Sequence, residues 1–575
     1  MTNTRVAVGF VLALLMLASP AGSAPQKPAE TPKITTTTDL VLVPVIVRKS
    51  GTHLGGLKKE SFTLLEDSNP QEIAVFEEVH AADAGSQAAI AGEFTNQDLS
   101  GPAQRLTVIA IDLVNTAPLD QAYLKQEVTK FLDGAQQSGE PYALVAITTN
   151  GIHVLQDFTA NTRAVAMALA KTQTQPNGRE RPGSTGTPFL DQTPCLLSNT
   201  GCGNQDPEIL REAERELRAW QDLYRNQEPY EIFRDRSARL DTLSSLIQIA
   251  QWLKGVPGRK TLVWAGSGIL WFGGVTRVMT GFGRTNDYST FNIDAGANQA
   301  MDENAYTFRL LSAANVAVYP LDARHGANTS FALYDVTRSD APIGDRGFAG
   351  QKGQVQNDDQ ERITMFQQIA ATTGGRPCFN RTDLANCMKE FAADSHDYYM
   401  LGFYADKKTK PGWHTLTVKL DQRADLRHRS GFVFQNFNPE AARMTDLQLA
   451  ILSPLPYTSV EIRGRFTGME EKGSKRLARF ELNLPPEALT LAEPDNALNF
   501  DVVAVVRGTD GKEAARLAQR ISRKLQPEQA ALIRGEGIHY SNQLELAPGS
   551  YGVWFVVRDN ATGRTGSVAT LLAVQ

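Results

Sequence analysis

Solid apolar runs that end on a small or acidic residue recur three times along the chain. Leu106 to Thr116 (LTVIAIDLVNT) is apolar up to Asp112 and then turns polar, and Gly258–Gly268 (GRKTLVWAGSG) and Ala314–Ala323 (ANVAVYPLDA) repeat the arrangement. Runs without alternation are expected of parallel strands buried on both faces, with functional loops at their carboxyl ends. They predict a doubly wound α/β domain over 101–397 that presents Asp112 at a sheet edge. Between the runs, Asp120–Gln137 has helical periodicity, Tyr142–Thr148 and Ile152–Phe158 read as strands across a turn at Asn150-Gly151, and Asn161 caps a helix ending at Lys171. A further helix is predicted over Leu240–Lys254.

The flanks have a different period. Asp39–Arg48 is a strand apolar on both faces, and Ser61–Glu66 and Glu72–Glu77 alternate around the turn Asp67–Gln71. Too few strands occur there to close a sheet, and the same signature returns at Tyr398–Tyr404, Trp413–Leu420 and Asp425–Phe434. The expectation is a β-sandwich assembled from 39–100 and 398–436, with the α/β domain inserted into it, as the neighbouring termini of such domains allow. Beyond it, 445–575 reads as a C-terminal sandwich with strands at Leu447–Ile451, Ser459–Phe466, Lys475–Leu484, Ala497–Val506, Gln543–Leu546, Tyr551–Arg558 and Gly566–Ala573. Arg516–Leu525 is left as a short helix or a linker.

Two stretches break the α/β pattern and read as irregular insertions, 172–236 and 268–298. The second leaves a strand's carboxyl end directly and carries Trp271, Phe272, Phe282, Tyr288 and Phe291. Aromatic side chains are frequent interface anchors, and a private miniature core is the alternative use for them.

Composition changes this picture little. At 575 residues, with 42% hydrophobic and 21% charged residues, the chain is an ordinary globular one with roughly three or four domains. A formal net charge of −5 gives no reason to expect nucleic acid as a partner. The amino terminus matters more: Arg5, the apolar segment Val6–Ala18 and small residues to Ala24 fit a cleaved signal over 1–24, followed by a flexible leader over 25–38. That segment is too short to span a bilayer and no later one qualifies, so the expectation is export to the periplasm or the outside. The four cysteines fall in two close pairs, Cys195 with Cys202 and Cys378 with Cys387. Two local disulfides suit an oxidising compartment, free thiols are the alternative, and zinc lacks both CxxC spacing and a histidine cluster.

Taken in order, Asp112-Leu-Val-Asn-Thr116, GRKTLVWAGSG, ANVAVYPLDA and the run Ile363–Phe379 (ITMFQQIAATTGGRPCF) resemble the segments of von Willebrand factor A domains, which are Rossmann-like. With YYMLGFY, HTLTVKL and RHRSGFVF, the chain resembles the VWFA-related proteins of acidobacteria, flanked by immunoglobulin- or fibronectin-like sandwiches. The resemblance implies a Mg²⁺ site at the sheet edge, with Asp112 and Thr116 as its matching ligands. The chain departs from that pattern: Val114 stands for the middle hydroxyl, Gly266 and Ser267 stand for the fourth-strand aspartate, and Thr185 and Thr187 compete as the second-loop threonine. No other cofactor is implied, and Asn115 can add an amide oxygen.

The rim residues singled out for ligand contact are therefore Asp112, Asn115, Thr116, Ser267, Trp271 and Phe272. For Asp112 the structural reading is that it caps the next helix and satisfies backbone groups of a loop; for Asp322 it is pairing with Arg324 or capping a loop. HExxH, the phosphate-cradling loop and GxGxxG after a strand are missing from the sequence, and Ser267 lacks the glycines of a nucleophile elbow. Two functions lead: a non-enzymatic exported binding or adhesion protein that docks a protein or peptide at the α/β rim, and a structural or assembly component of the envelope acting through its sandwiches; a hydrolase is the third reading, kept as a check.

Overall fold

The computed structural model describes residues 40–80, 93–96, 105–136, 138–174, 236–269, 290–324, 360–405, 410, 412–434 and 439–575. The signal and leader expected over 1–38 lie outside them.

Five strands form the central sheet: β1 (Leu106–Asp112), β2 (Tyr142–Thr148), β3 (Gly151–Thr159), β4 (Lys260–Gly266) and β5 (Val316–Asp322), in the order β5-β4-β1-β2-β3. The β1–β2, β1–β4 and β4–β5 pairs are parallel, and the hairpin turn at Asn150-Gly151 makes β2–β3 antiparallel. Every residue of β1, β2, β4 and β5 is buried, which is why their sequences run apolar without alternation. Alternate side chains of one strand feed two different cores. Val108 and Ala110 face one side, with helix α3 (236–253), the end of α4 (Thr290–Ala313) and α5 (360–373); Ile109 and Ile111 face the other, with α1 (Pro118–Gly134), α2 (Thr162–Lys171) and α6 (Leu384–Asp394). The Asn161 side chain accepts from Ala164 N at 3.2 Å and starts α2 where its sequence indicates.

Strands from both sides of this unit share sheets. Leu40–Lys49 lies antiparallel between Asp397–Tyr404 and Asp425–Arg427, and Val75–His80 pairs with the other edge of Asp397–Tyr404. The facing sheet joins Phe62–Glu66 to Gly412–Leu420 and Gly431–Phe434. Val43, Val45, Phe62, Leu64, Leu401, Phe403 and Leu416 fill the space between.

The C-terminal sandwich departs from its sequence reading in three places. Leu447–Ile451 is not a strand but part of the helix Pro439–Leu452: Leu447, Ala450 and Ile451 recur at helical spacing and pack on Val503, Val505 and Val556. Arg516–Leu525 is neither helix nor linker but most of the strand Glu513–Lys524, whose alternate residues Ala515, Leu517 and Ile521 turn toward the core while its backbone pairs with Ala497–Gly508. Pairing along a neighbour outweighs the helix propensity of its Ala, Arg and Gln residues. The segment Glu93–Thr95, placed by sequence in the first sandwich, adds an edge to Arg463–Lys472 in the last one, and the Asn96 amide fixes it there through Tyr457 O, Val460 O and Ile462 N. The boundaries 39–100 and 445–575 shift accordingly. A fourth correction falls on 268–298, whose last residues begin α4 at Thr290 instead of remaining irregular, as the amino-terminal part of a helix that continues to Ala313.

The α/β unit also touches the last sandwich. Gly255 N donates to Thr458 Oγ1 at 2.9 Å, and Thr458 Oγ1 donates to Trp252 O at 2.6 Å. A Cβ on Gly255 would stand 1.9 Å from Thr458 O, so only glycine permits this approach.

Candidate functional site

Parallel pairing sets the rim. Ile111 lies beside Ala265 and Gly266 beside Asp322, so Asp112 and the ends of β4 and β5 share one edge of the sheet. Thr116 and Ser267 meet there: Ser267 N donates to Thr116 Oγ1 at 3.1 Å. Gln121 of α1 reaches back to Thr116 O at 2.7 Å and pins the loop.

Asp112 is completely buried and its carboxylate is surrounded by donors. Oδ1 accepts from Val114 N at 3.1 Å and Asn115 N at 3.0 Å, and Oδ2 accepts from the Thr242 hydroxyl at 3.2 Å. The Asn115 side-chain nitrogen stands in the middle, 3.1 and 2.8 Å from the two carboxylate oxygens and 2.8 Å from Thr242 Oγ1. Amide orientation follows from the partners, since a carboxylate accepts and does not donate. It is thus the nitrogen of Asn115, not the expected oxygen, that faces Asp112. The α1 N-cap is Ala117, with no side-chain cap, so Asp112 holds the loop and does not cap the helix.

The residues implied as metal ligands do not fit a divalent ion. The NH₂ group of Asn115 occupies the position between Asp112 and Thr242 that a cation shared by them would take. Val114 is not a stand-in for a rim hydroxyl, because its side chain packs into the core with Val108 and Ala110. Nor does the fourth strand have room for a carboxylate: a Cβ on Gly266 would lie 2.8 Å from Asp112 Cβ and 2.9 Å from Thr116 Oγ1. Close packing of β4 on the Asp112 loop explains that glycine.

Thr242, in α3, is the residue missed by sequence; Thr185 and Thr187 lie outside the described residues. Its signal is a polar residue in register with the buried apolar positions Ala238, Leu246 and Ile249 on neighbouring turns, a face that also carries the buried Arg239 and Ser245. Beside it, burial and then the charge of Asp112 hold the Asp241 carboxyl above its ordinary range. Two buried oxygens at the rim, Asn115 Oδ1 and Ser267 Oγ, have no hydrogen-bond partner among the described residues. Ser267 O and Gly268 O accept from Arg362 at 2.9 and 3.0 Å, which fastens the end of β4 to α5. Asp322 takes up Arg324 through a bidentate pair, 2.9 Å to Nε and 2.7 Å to Nη2.

Trp271 and Phe272, together with Phe282, Tyr288, Cys195 and Cys202, lie outside the described residues. Phe291 falls within α4. Cys378 and Cys387 are joined as a disulfide, and Cys378 adds a short parallel bridge to Leu321, so the bond ties α6 to the edge of the sheet at β5. Away from the rim, His414 Nδ1 stands 2.8 Å from Asp67 and 3.3 Å from Glu66 in the first sandwich. Among the described residues no helix is long and apolar enough to cross a membrane.

No family model and no curated protein matches the chain. Among solved structures, it is similar at 9% identity to the pilus adhesin SpaC from Lactobacillus rhamnosus GG, covering 91% of this chain and 59% of that one with a TM-score of 0.22. A calcium-binding mutant of beta-glucuronidase 2 from Bacteroides uniformis shares 15% identity over 19% of this chain and 13% of its own, with a TM-score of 0.14. The chain therefore spans less than two thirds of either protein, and at those scores neither establishes a shared fold.

Proposed function

We propose that the chain is a non-enzymatic, exported binding protein of the von Willebrand factor A-related type, which engages a protein or peptide at the carboxyl edge of its α/β sheet without a metal ion. The observation that carries this reading is the Asn115 amide lodged between Asp112 and Thr242. It occupies with hydrogen bonds the Asp112 carboxylate that metal-dependent recognition would use, so affinity must come from elsewhere on the rim. Two stretches are attached there. Residues 270–289, with Trp271 and Phe272, follow β4, and residues 325–359 follow Arg324 just past β5.

Catalysis has weaker support. Among the described residues no base meets the Ser267 hydroxyl, and Ser267 itself is 5% exposed. The alternative of an envelope scaffold acting through its sandwiches draws on the seams described above, where Glu93–Thr95 and Thr458 tie separate parts of the chain together.

The experiment is affinity capture from envelope and secreted fractions of the source organism, comparing the full chain, a variant with 270–289 shortened, and Asn115→Ala, each with EDTA and with Mg²⁺. Rim docking predicts a specific partner that survives EDTA and is lost with the shortened stretch. Capture that needs Mg²⁺, or that ignores the shortening, refutes it; the second result favours the scaffold.

A further inference from the structure

Arginine is concentrated where the α/β unit meets the first sandwich. Arg48, Arg376 and Arg427 converge on the buried carboxylate of Asp394, with Arg48 Nη2 at 3.1 Å and Arg376 Nε at 3.3 Å. Arg376 also pairs with Glu390 at 2.6 Å. Asp394 is thereby spent on three guanidinium groups.

Two further arginines in this seam have no such partner. Arg259 and Arg429 are 4% and 7% exposed, and among the described residues no carboxylate lies within ion-pair distance of either. Arg259 donates to Tyr319 Oη at 3.0 Å and Gly374 O at 2.7 Å; Arg429 donates to Ser312 O at 3.1 Å and to Leu42 O. Arg259 Nη1 and Arg429 Nε, both buried, find no acceptor among the described residues. A lone buried charge is costly, and an arginine cannot escape by losing its proton as a lysine can. The contrast is visible nearby: burial pushes Lys260 down to about 7, but Arg429 only to about 10, so it stays a cation at neutral pH.

Both arginines line one small cavity, of about 10 Å³, together with Pro44, Ser312, Thr373 and Gly374. Gly374 touches both sides: its carbonyl accepts from Arg259, and a Cβ on it would stand 3.0 Å from Arg429 N. We infer that this cavity binds one monatomic anion, chloride or another halide, between Arg259 and Arg429, and that the ion fastens the α/β unit to the sandwich.

Size and hydrogen-bond chemistry select the class. A cavity this small admits a single water-sized occupant, which excludes phosphate, sulfate and carboxylates. The spare groups are donors and both are cationic, while the carbonyls of Gly374, Ser312 and Leu42 already accept from the same arginines. A water could share these carbonyls, which keep a second lone pair, but it brings no counter-charge; a halide accepts from both spare donors and also compensates the buried positive charge.

The test is thermal unfolding of the full chain in sodium chloride, sodium bromide and sodium gluconate at one ionic strength, with chloride then titrated against gluconate. Chloride and bromide should raise the midpoint relative to gluconate, with little effect below half-saturation and a steady climb per decade above it. Well above half-saturation, while the unfolded chain stays unbound, each tenfold increase in chloride adds a factor of ten to the folding constant, about 1.4 kcal/mol. Arg429→Met, which removes the charge and keeps the length, should flatten the response. Bromide anomalous scattering from crystals of the unmodified protein should place a peak between Arg259 and Arg429, and this measurement decides the matter should the variant not fold. Equal midpoints in gluconate and chloride, a full response in Arg429→Met, or bromide crystals with no peak at that position would each overturn the assignment.

Discussion

Removing the Asn115 amide isolates the feature on which the metal-independent reading rests. In Asn115→Ala the carboxylate of Asp112 keeps the backbone donors Val114 N and Asn115 N and the Thr242 hydroxyl, but loses the NH₂ group at 3.1 and 2.8 Å. A hydrogen bond to a buried charge contributes about 1.5–3 kcal/mol, so the expected loss is about 2 kcal/mol. For a unit of this size that corresponds to a fall of about 4–8 °C in the midpoint. Tryptophan fluorescence is a suitable probe, because Trp252 and Trp264 are buried in the core that α3 shares with β4. Melting is followed in EDTA and in millimolar Mg²⁺, with chloride matched so that the anion does not enter. The wild type should melt at one temperature in both buffers, and the variant lower in both. A wild-type midpoint that climbs with Mg²⁺ would show a cation displacing the amide, and an unshifted variant in EDTA would show that the amide contributes nothing; either result refutes the reasoning.

Gly266→Ala forces a methyl to within 2.8 Å of Asp112 Cβ and should destabilise by about 1–3 kcal/mol in denaturant unfolding; a neutral result would mean the β4 edge yields freely. Replacing Cys378 and Cys387 together by Ala opens a bridge of sequence separation 9 and should lower stability by about 2–3 kcal/mol, an effect that reductant reproduces in the wild type but not in the variant. At His414, burial disfavours the imidazolium, but the Lys410 carbonyl and the charges of Asp67 and Glu66 outweigh it and raise its pKa. A raised folded value means stability that is complete below the unfolded pKa of about 6.5 and lost as pH climbs through the folded one. His414→Gln should therefore lose more stability, relative to wild type, in mildly acidic buffer than in alkaline buffer; equal losses at both would show that the imidazole acts by packing on Phe432 alone.

The sheet is legible in sequence to the extent that burial is symmetrical. Strands β1, β2, β4 and β5 are enclosed on both faces, so their few polar residues, such as Thr107 and Thr261, lie near the ends, and the strands stop where the apolar runs stop. Elements with one exposed face are harder. Glu513–Lys524 turns only Ala515, Leu517 and Ile521 inward, side chains that suit a helix as well as a strand, and only the neighbouring strand decides between them. Glu93–Thr95 is three residues long, and its partner lies far along the chain, so no local pattern assigns it.

At the rim the same limit applies to chemistry. Asp112, Asn115, Thr116 and Ser267 are visible because they sit at strand ends, but which atom of Asn115 faces the carboxylate depends on α3, whose Thr242 completes the cage from 127 positions away. Sequence therefore locates the edge and leaves its polarity open. Once the amide is placed, the rim residues become one consistent set: Val114 belongs to the core, Gly266 must be bare to let β4 approach, and Asn115 supplies donors where a cation would have supplied charge. A chain that had merely lost a metal ligand would leave Asp112 as an uncompensated buried carboxylate, which is strongly unfavourable. Here the carboxylate is satisfied by named donors, so the rim is a stable arrangement in its own right, and any binding it performs must draw on the stretches attached beside β4 and β5.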